Sequence, residues 1–247
     1  MDFTGKSIPD PGFSGDDGTA DAALTAALAD TSPRPEDVLA ALAGARLLVP
    51  VVAILGEQED TAPGELKREK SSDMAVPTIA GPSGRKALPA FTSTDALARW
   101  RPDARPVPVD ARRAALATYA EGADTLLLDL AGPVPYEVTG PALRALAEGR
   151  ELLPPHRDDT VREAVRAAAA EEPAVSAAYL TEGATSDLLL TLASNASPAD
   201  ITAAARRIAT RLAEAEALRA RLTRGLDLAL LAESVTPPGA PLYVRGA

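Results

Sequence analysis

The stretch ALPAFTSTDALARW, residues 87–100, carries a change of periodicity. Its first residues, with Leu88 and Phe91, have the apolar density of a short strand. Asp95-Ala96-Leu97 and the residues up to Trp100 have helical spacing, and three hydroxyl residues, Thr92-Ser93-Thr94, lie between. Hydroxyl side chains just before an acidic first turn cap the free amides of a helix, so the spacing predicts a strand, a tight bend with Thr92 or Ser93 as cap, and a short helix. Trp100, the single tryptophan, ends that helix and is expected to pin it to the sheet; left exposed, it would mark a binding surface.

Outward from this bend the same alternation repeats. RPVPVD (105–110) reads as a strand, ARRAALATYAEG (111–122) as a helix capped by Asp110, DTLLLDLAG (124–132) as a buried strand, and YEVTG (136–140) as another. The latter feeds PALRALAEG, a helix with Pro141 in its first turn and Gly149 beyond its end. Upstream, GTADAALTAALAD (18–30) predicts a helix capped near Thr19, and PEDVLAALAG one that begins at Pro35. RLLVPVVAIL predicts a strand from about Leu47 to Leu55. A polar loop, 56–72, comes next. DMAVPTIAG and KALPAF then read as a hairpin around residues 81–85, whose internal prolines belong on edges or at bulges.

A proline pair, Pro154-Pro155, suggests a linker over 154–159 that contains His156, the one histidine, expected to be solvated there. Beyond it, Thr160 and Glu163 read as a capping box, AVSAAYLTEG and SDLLLTLAS as a hairpin, and Ser197-Pro198-Ala199-Asp200 as the cap of a long helix. LDLALLAE and PLYVR read as closing strands. At about 100° per residue, Ile201, Ala205, Ile208, Leu212, Ala215 and Leu222 share one face of that helix, and Arg219 falls near the centre of it. Such an arginine belongs on an overhang that meets solvent, a carboxylate or another chain. The fold class is therefore α+β (mixed α/β): a tail over 1–18, a mixed sheet with short helices over 19–153, and a smaller sandwich with two helices on one face of a sheet over 160–247.

Composition narrows the function. The 247 residues carry 25 basic and 35 acidic side chains, a net charge of −10, which opposes nonspecific attraction to nucleic acid and to anionic membranes. There is no cysteine, so disulfides, thiolate metal sites and a cysteine nucleophile are excluded, and no cofactor or metal is expected. No run approaches the ~18 apolar residues of a membrane span, and the first residues lack a secretory signal, which points to the cytoplasm. GPSGRK (81–86) joins two strands where a phosphate loop would open a helix, and it has Arg85 where a nucleophile elbow needs glycine. Asp129, a carboxylate among leucines, must be hydrogen-bonded, paired or held at the strand's mouth. It either fixes the strand exit or holds a polar ligand together with Thr92 and Ser93.

LPAFTSTDALARW, followed by PVPVD, a helix, GADTLLLDLAGP and TGPALRAL, resembles the N-terminal domain of the SseB family, named for enhanced serine sensitivity. PPGAPLYVR resembles the end of that family's C-terminal domain. Asp129-Leu130 stands where relatives often show Asn-Pro. The resemblance implies a cytoplasmic bacterial protein with no assigned catalytic mechanism. The resulting expectation is a noncatalytic protein that acts through contacts with a protein partner or with itself, with sensing of an amino acid or related metabolite as the second reading. The residues singled out for ligand or partner are Phe91, Thr92, Ser93, Trp100, Asp129 and Arg219.

Overall fold

The computed structural model describes residues 13, 15–55, 72–81, 84–182, 186–193, 197–235, 237 and 239–246. Most of the expected tail and nearly all of the polar loop after Leu55 lie outside these residues. The chain divides into two compact units, residues 1–151 and 152–247.

The first unit contains helices α1 (Ala22–Leu28) and α2 (Pro35–Gly44), strands β1 (Arg46–Leu55), β2 (Ser72–Ala75), β3 (Ile79–Ala80) and β4 (Lys86–Ala90), and helix α3 (Thr94–Trp100). It continues with β5 (Arg105–Asp110), α4 (Ala111–Ala120), β6 (Thr125–Leu128), β7 (Tyr136–Thr139) and α5 (Gly140–Glu148). Mixed sheet and short helices alternate as the periodicity predicts. Two local readings differ. The α1 cap is Asp21, whose carboxylate accepts from the Leu24 amide, while Thr19 bonds Asp17 instead. The stretch DMAVPTIAG is two strands in two sheets: β2 pairs with β1 and β3 with β4, and the chain crosses between them at Val76-Pro77-Thr78. The proline cannot donate to a ladder, so the break falls where no bond is lost.

Strand β1 joins the two sheets of this unit. One side pairs antiparallel with β5, in a register that sets Pro50 opposite Pro106 and Leu48 opposite Pro108. Opposed prolines have no N–H to exchange, so these are the positions whose backbone groups point away from the partner strand. Accordingly, the N–H and C=O of Leu48 turn to the other side and exchange hydrogen bonds of 2.8 and 2.9 Å with Phe91, the residue that follows β4. On the outer side of β5 the same parity puts Pro106 and Pro108 along the free edge, which removes donors an incoming strand would need. From Phe91 the second sheet runs β3-β4-β6-β7, with β4 parallel to β6. Buried Leu24, Leu42, Leu47, Leu88, Leu126, Leu128 and Leu143 bring α1, α2 and α5 into the core with the strands.

The second unit contains α6 (Asp159–Ala170), β8 (Val175–Leu180), β9 (Leu188–Leu192), α7 (Pro198–Glu214), α8 (Glu216–Arg219), β10 (Leu228–Ala232) and β11 (Tyr243–Val244), with strand order β10-β9-β8-β11. Val161 and Val165 of α6, Ile208 and Leu212 of α7 and Leu218 of α8 share one core with Leu188 and Leu190 of β9, which places the helices on one face of the sheet. Ser197 caps α7 as expected, and with Asp200 it forms a capping box. The α6 cap, however, is Asp158 and not Thr160: its carboxylate accepts from the Thr160 and Val161 amides and also pairs with Arg221 at 3.2 Å. His156 is only partly exposed and stands 3.8 Å from the Glu182 carboxylate. At the other end of α6, the Arg245 guanidinium donates to the carbonyls of Val175, Ala169, Ala170 and Glu172. The basic tip of the chain thus satisfies carbonyls that the helix leaves open.

The long helix is also shorter than its pattern. It stops at Glu214, Ala215 takes an extended conformation (ψ 110°), and the short α8 follows. That break resets the angular phase: Leu218 is buried and Arg219 is exposed. Arg219 therefore lies outside the apolar face on which an unbroken helix would have put it.

Candidate functional site

Of the six residues singled out, five come together at the end of β4 and β6, and Arg219 lies in the other unit. The first sheet supplies the frame. Because β4 and β6 run parallel with Ala90 beside Leu128, Phe91 and Asp129 leave the sheet side by side, and the Asp129 amide extends the ladder with a 3.0 Å bond to the Ala90 carbonyl. Asp129 then adopts φ +49°, the one non-glycine residue among those described with positive φ. Aspartate and asparagine tolerate this left-handed conformation best among side-chain-bearing residues. Its carbonyl accepts from the Gly132 amide at 2.6 Å, and a β-carbon at 132 would lie 2.9 Å from that same oxygen, so the tight return after β6 requires glycine.

The carboxylate of Asp129 reaches across to the bend. One oxygen accepts the Thr92 amide at 2.9 Å and the other the Thr92 hydroxyl at 2.7 Å. Ser93 is the cap of α3, its Oγ accepting from the Ala96 amide at 3.1 Å. Thr94 donates its amide (2.9 Å) and its hydroxyl (3.3 Å) to the carbonyl of Gly18. Every amide and hydroxyl that the bend could have offered at Thr92 and Thr94 thus has a partner within the chain. Among the described residues, no side-chain polar atom is both buried and unpartnered.

Beneath the bend, Phe91 is fully buried in a cluster with Leu48, Val52, Ala96, Leu97 and Ala104, and Trp100 and Leu130 pack against it. The Trp100 ring stacks on Phe91 with centroids 5.3 Å apart, and Arg101 covers the indole at 5.9 Å. The tryptophan holds α3 to the sheet. The space beside residues 91–100 is packed, and no group of His, Cys, Asp or Glu that could hold a metal is found among the described residues.

Arg46 is the residue that sequence reasoning passed over. At the head of β1, with its side chain only 11% exposed, it donates to the Thr92 carbonyl at 2.9 Å, to the Asp16 carboxylate at 2.7 Å and to the Thr19 carbonyl at 2.6 Å. A lone charge that opens an otherwise apolar run was the available signal: it has to find either water or partners.

The fold and the bend define a mixed α+β protein in which a strand-to-helix turn is locked to the neighbouring parallel strand. A family model described as the SseB protein N-terminal domain matches residues 21–145, slightly more than half of the chain, and the chain belongs to the SseB family. No curated protein and no solved structure matches it. Among the described residues no helix is long and apolar enough to cross a membrane.

Proposed function

We propose that this SseB-family chain is noncatalytic and acts through contacts with another protein. The observation that carries this reading is a pair of large apolar side chains on the outer face of α4: Leu116 is 47% exposed and Tyr119 46% exposed, one helical turn apart. Single exposed apolar residues are ordinary, but an adjacent pair on a rigid helix provides an anchor for a complementary pocket. The opposite face of α4 is filled by buried Ala111, Ala114, Ala115 and Thr118, so the helix is fixed and the outer pair is preorganised.

The metabolite reading needs Asp129, Thr92 and Ser93 to hold a polar ligand. Both Thr92 donors and both Asp129 oxygens are engaged with one another, and the Ser93 hydroxyl oxygen accepts at the α3 cap, so a ligand seated on Asp129 and Thr92 would have to break charge-assisted bonds before making its own. The net charge of −10 disfavours polyanionic partners.

The test places a photo-crosslinking residue at Leu116 and, as control, at exposed Ala43 on α2. A discrete adduct at 116, absent at 43 and abolished by Tyr119→Asp, is the expected result, and its mass states whether the partner is a second copy. No adduct at 116 above the Ala43 control would overturn the reading.

A further inference from the structure

The segment Asp16–Thr19 sits on the bend as a bound peptide sits on a receptor. Toward it the body of the unit presents donors: the Arg46 guanidinium, the Thr94 amide and the Thr94 hydroxyl. Toward the body the segment presents acceptors: the Asp16 carboxylate and the carbonyls of Gly18 and Thr19. Asp16 also accepts from the Gly18 amide at 3.0 Å, and Thr19 is folded onto Asp17, so the acidic turn is shaped by its own bonds. Gly18 has φ +81° and is buried; a β-carbon there would stand 2.8 Å from the Thr94 side chain, so only glycine seats. From residue 15 to residue 19 no apolar side chain is buried. The attachment is therefore polar throughout and lacks the apolar area that makes an element permanent.

The Arg46 guanidinium is held on one side by the Thr92 carbonyl and on the other by the Asp16 carboxylate and the Thr19 carbonyl, so residues 16–19 supply two of its three acceptor groups. We infer that Arg46 and Thr94 form a docking site for an acidic, glycine-containing peptide of the form Asp-x-Gly, and that residues 16–19 occupy it in cis as an internal competitor. The site recognises a carboxylate on Arg46 and, two residues later, a glycine carbonyl on Thr94. A tethered segment acts at an effective concentration near the millimolar range, so a peptide in trans binds weakly until the strap is released. This inference does not depend on the α4 surface: it concerns other residues of the same unit and a different readout.

The probe is a fluorescein-labelled peptide of residues 15–21, and the receptor is the full chain. Gly18→Val, which cannot seat against Thr94, expels the strap, and peptide affinity is expected to rise at least about fivefold over wild type. A peptide carrying valine in place of its glycine, or asparagine in place of its first aspartate, loses most of that binding, and Arg46→Gln in the Gly18→Val background abolishes it. Raising the salt weakens binding in proportion to the Arg46–Asp16 contribution. Asp16→Ala, a milder release with no steric demand, gives the same direction of change and answers the question if Gly18→Val fails to fold as judged by Trp100 fluorescence. If neither release variant binds the peptide more tightly than wild type while Trp100 reports a native cluster, the inference is wrong and the strap is a fixed part of the unit.

Discussion

Asp129→Ala is expected to lower the unfolding free energy of the first unit by about 3 kcal/mol, the largest effect of any single change at the bend. Two charge-assisted hydrogen bonds disappear, each worth roughly 1.5–3 kcal/mol. Thr92, only 7% exposed, is left with an amide and a hydroxyl that water reaches poorly. Alanine is also less tolerant than aspartate of φ +49°, which adds on the order of 1 kcal/mol. Partial entry of water at the half-buried Asp129 position offsets some of the sum. Asp129→Asn keeps the left-handed residue and one acceptor, and should cost about 1 kcal/mol. Thr92→Val removes the hydroxyl bond and leaves the amide bond. Because both substitutions touch one contact, the double variant Asp129→Ala/Thr92→Val should cost less than the two singles together. Urea unfolding followed by fluorescence reads this directly, since Trp100, the single tryptophan, stacks on Phe91 in the cluster under the bend. Additive costs would mean that the bond between the Thr92 hydroxyl and the Asp129 carboxylate contributes nothing.

The second large effect belongs to the other unit. Glu172 is 1% exposed, and its carboxylate is held by Arg207 through two bonds of 2.8 Å. Removing Arg207 leaves a buried carboxylate supported only by the Ala174 amide and the charge of Arg211. A fully buried pair broken this way costs roughly 3–5 kcal/mol, but the Arg207 side chain is itself 53% exposed, so about 2 kcal/mol is expected for Arg207→Ala. The same pair sets a pH dependence. Hydrogen bonding from Arg207, the leading cause, holds the Glu172 carboxyl below the ordinary glutamate value of 4.5. A folded-state pKa below the unfolded one means that the contribution is fully present above about pH 4.5 and is lost as pH falls through the lower folded value. Wild type should thus lose stability in acid more steeply than Arg207→Ala, as read by far-UV circular dichroism during acid titration. Equal acid slopes would remove Glu172 from the account.

Much of the fold was legible because its signals are local. Caps at Asp110, Ser93 and Ser197, Pro35 and Pro141 at helix starts, and Gly149 beyond α5 each act within a few residues. The features that escaped reading depend on distant chain. Asp129 was suspect from its leucine surroundings, but its partner lies 37 residues away and is fixed only by the parallel register of β4 and β6. The Asp16–Arg46 pair spans 30 residues and follows no period. The break at Ala215 has no glycine or proline to mark it; the turn lets Leu218 return to the core, a tertiary gain that overrides alanine's helix preference. Likewise Asp158 outcompetes Thr160 as a cap because it also receives Arg221 from beyond α7.

Amide hydrogen exchange of Thr92, resolved by NMR in the full chain, tests most directly whether the bend is closed by Asp129. The account predicts protection of the Thr92 amide comparable to that of the Phe91 amide, which is bonded to the Leu48 carbonyl of β1, with loss of that protection in Asp129→Ala. Exchange of Thr92 at the rate of an open loop in the wild type, or its protection only after an amino acid is added, would contradict it.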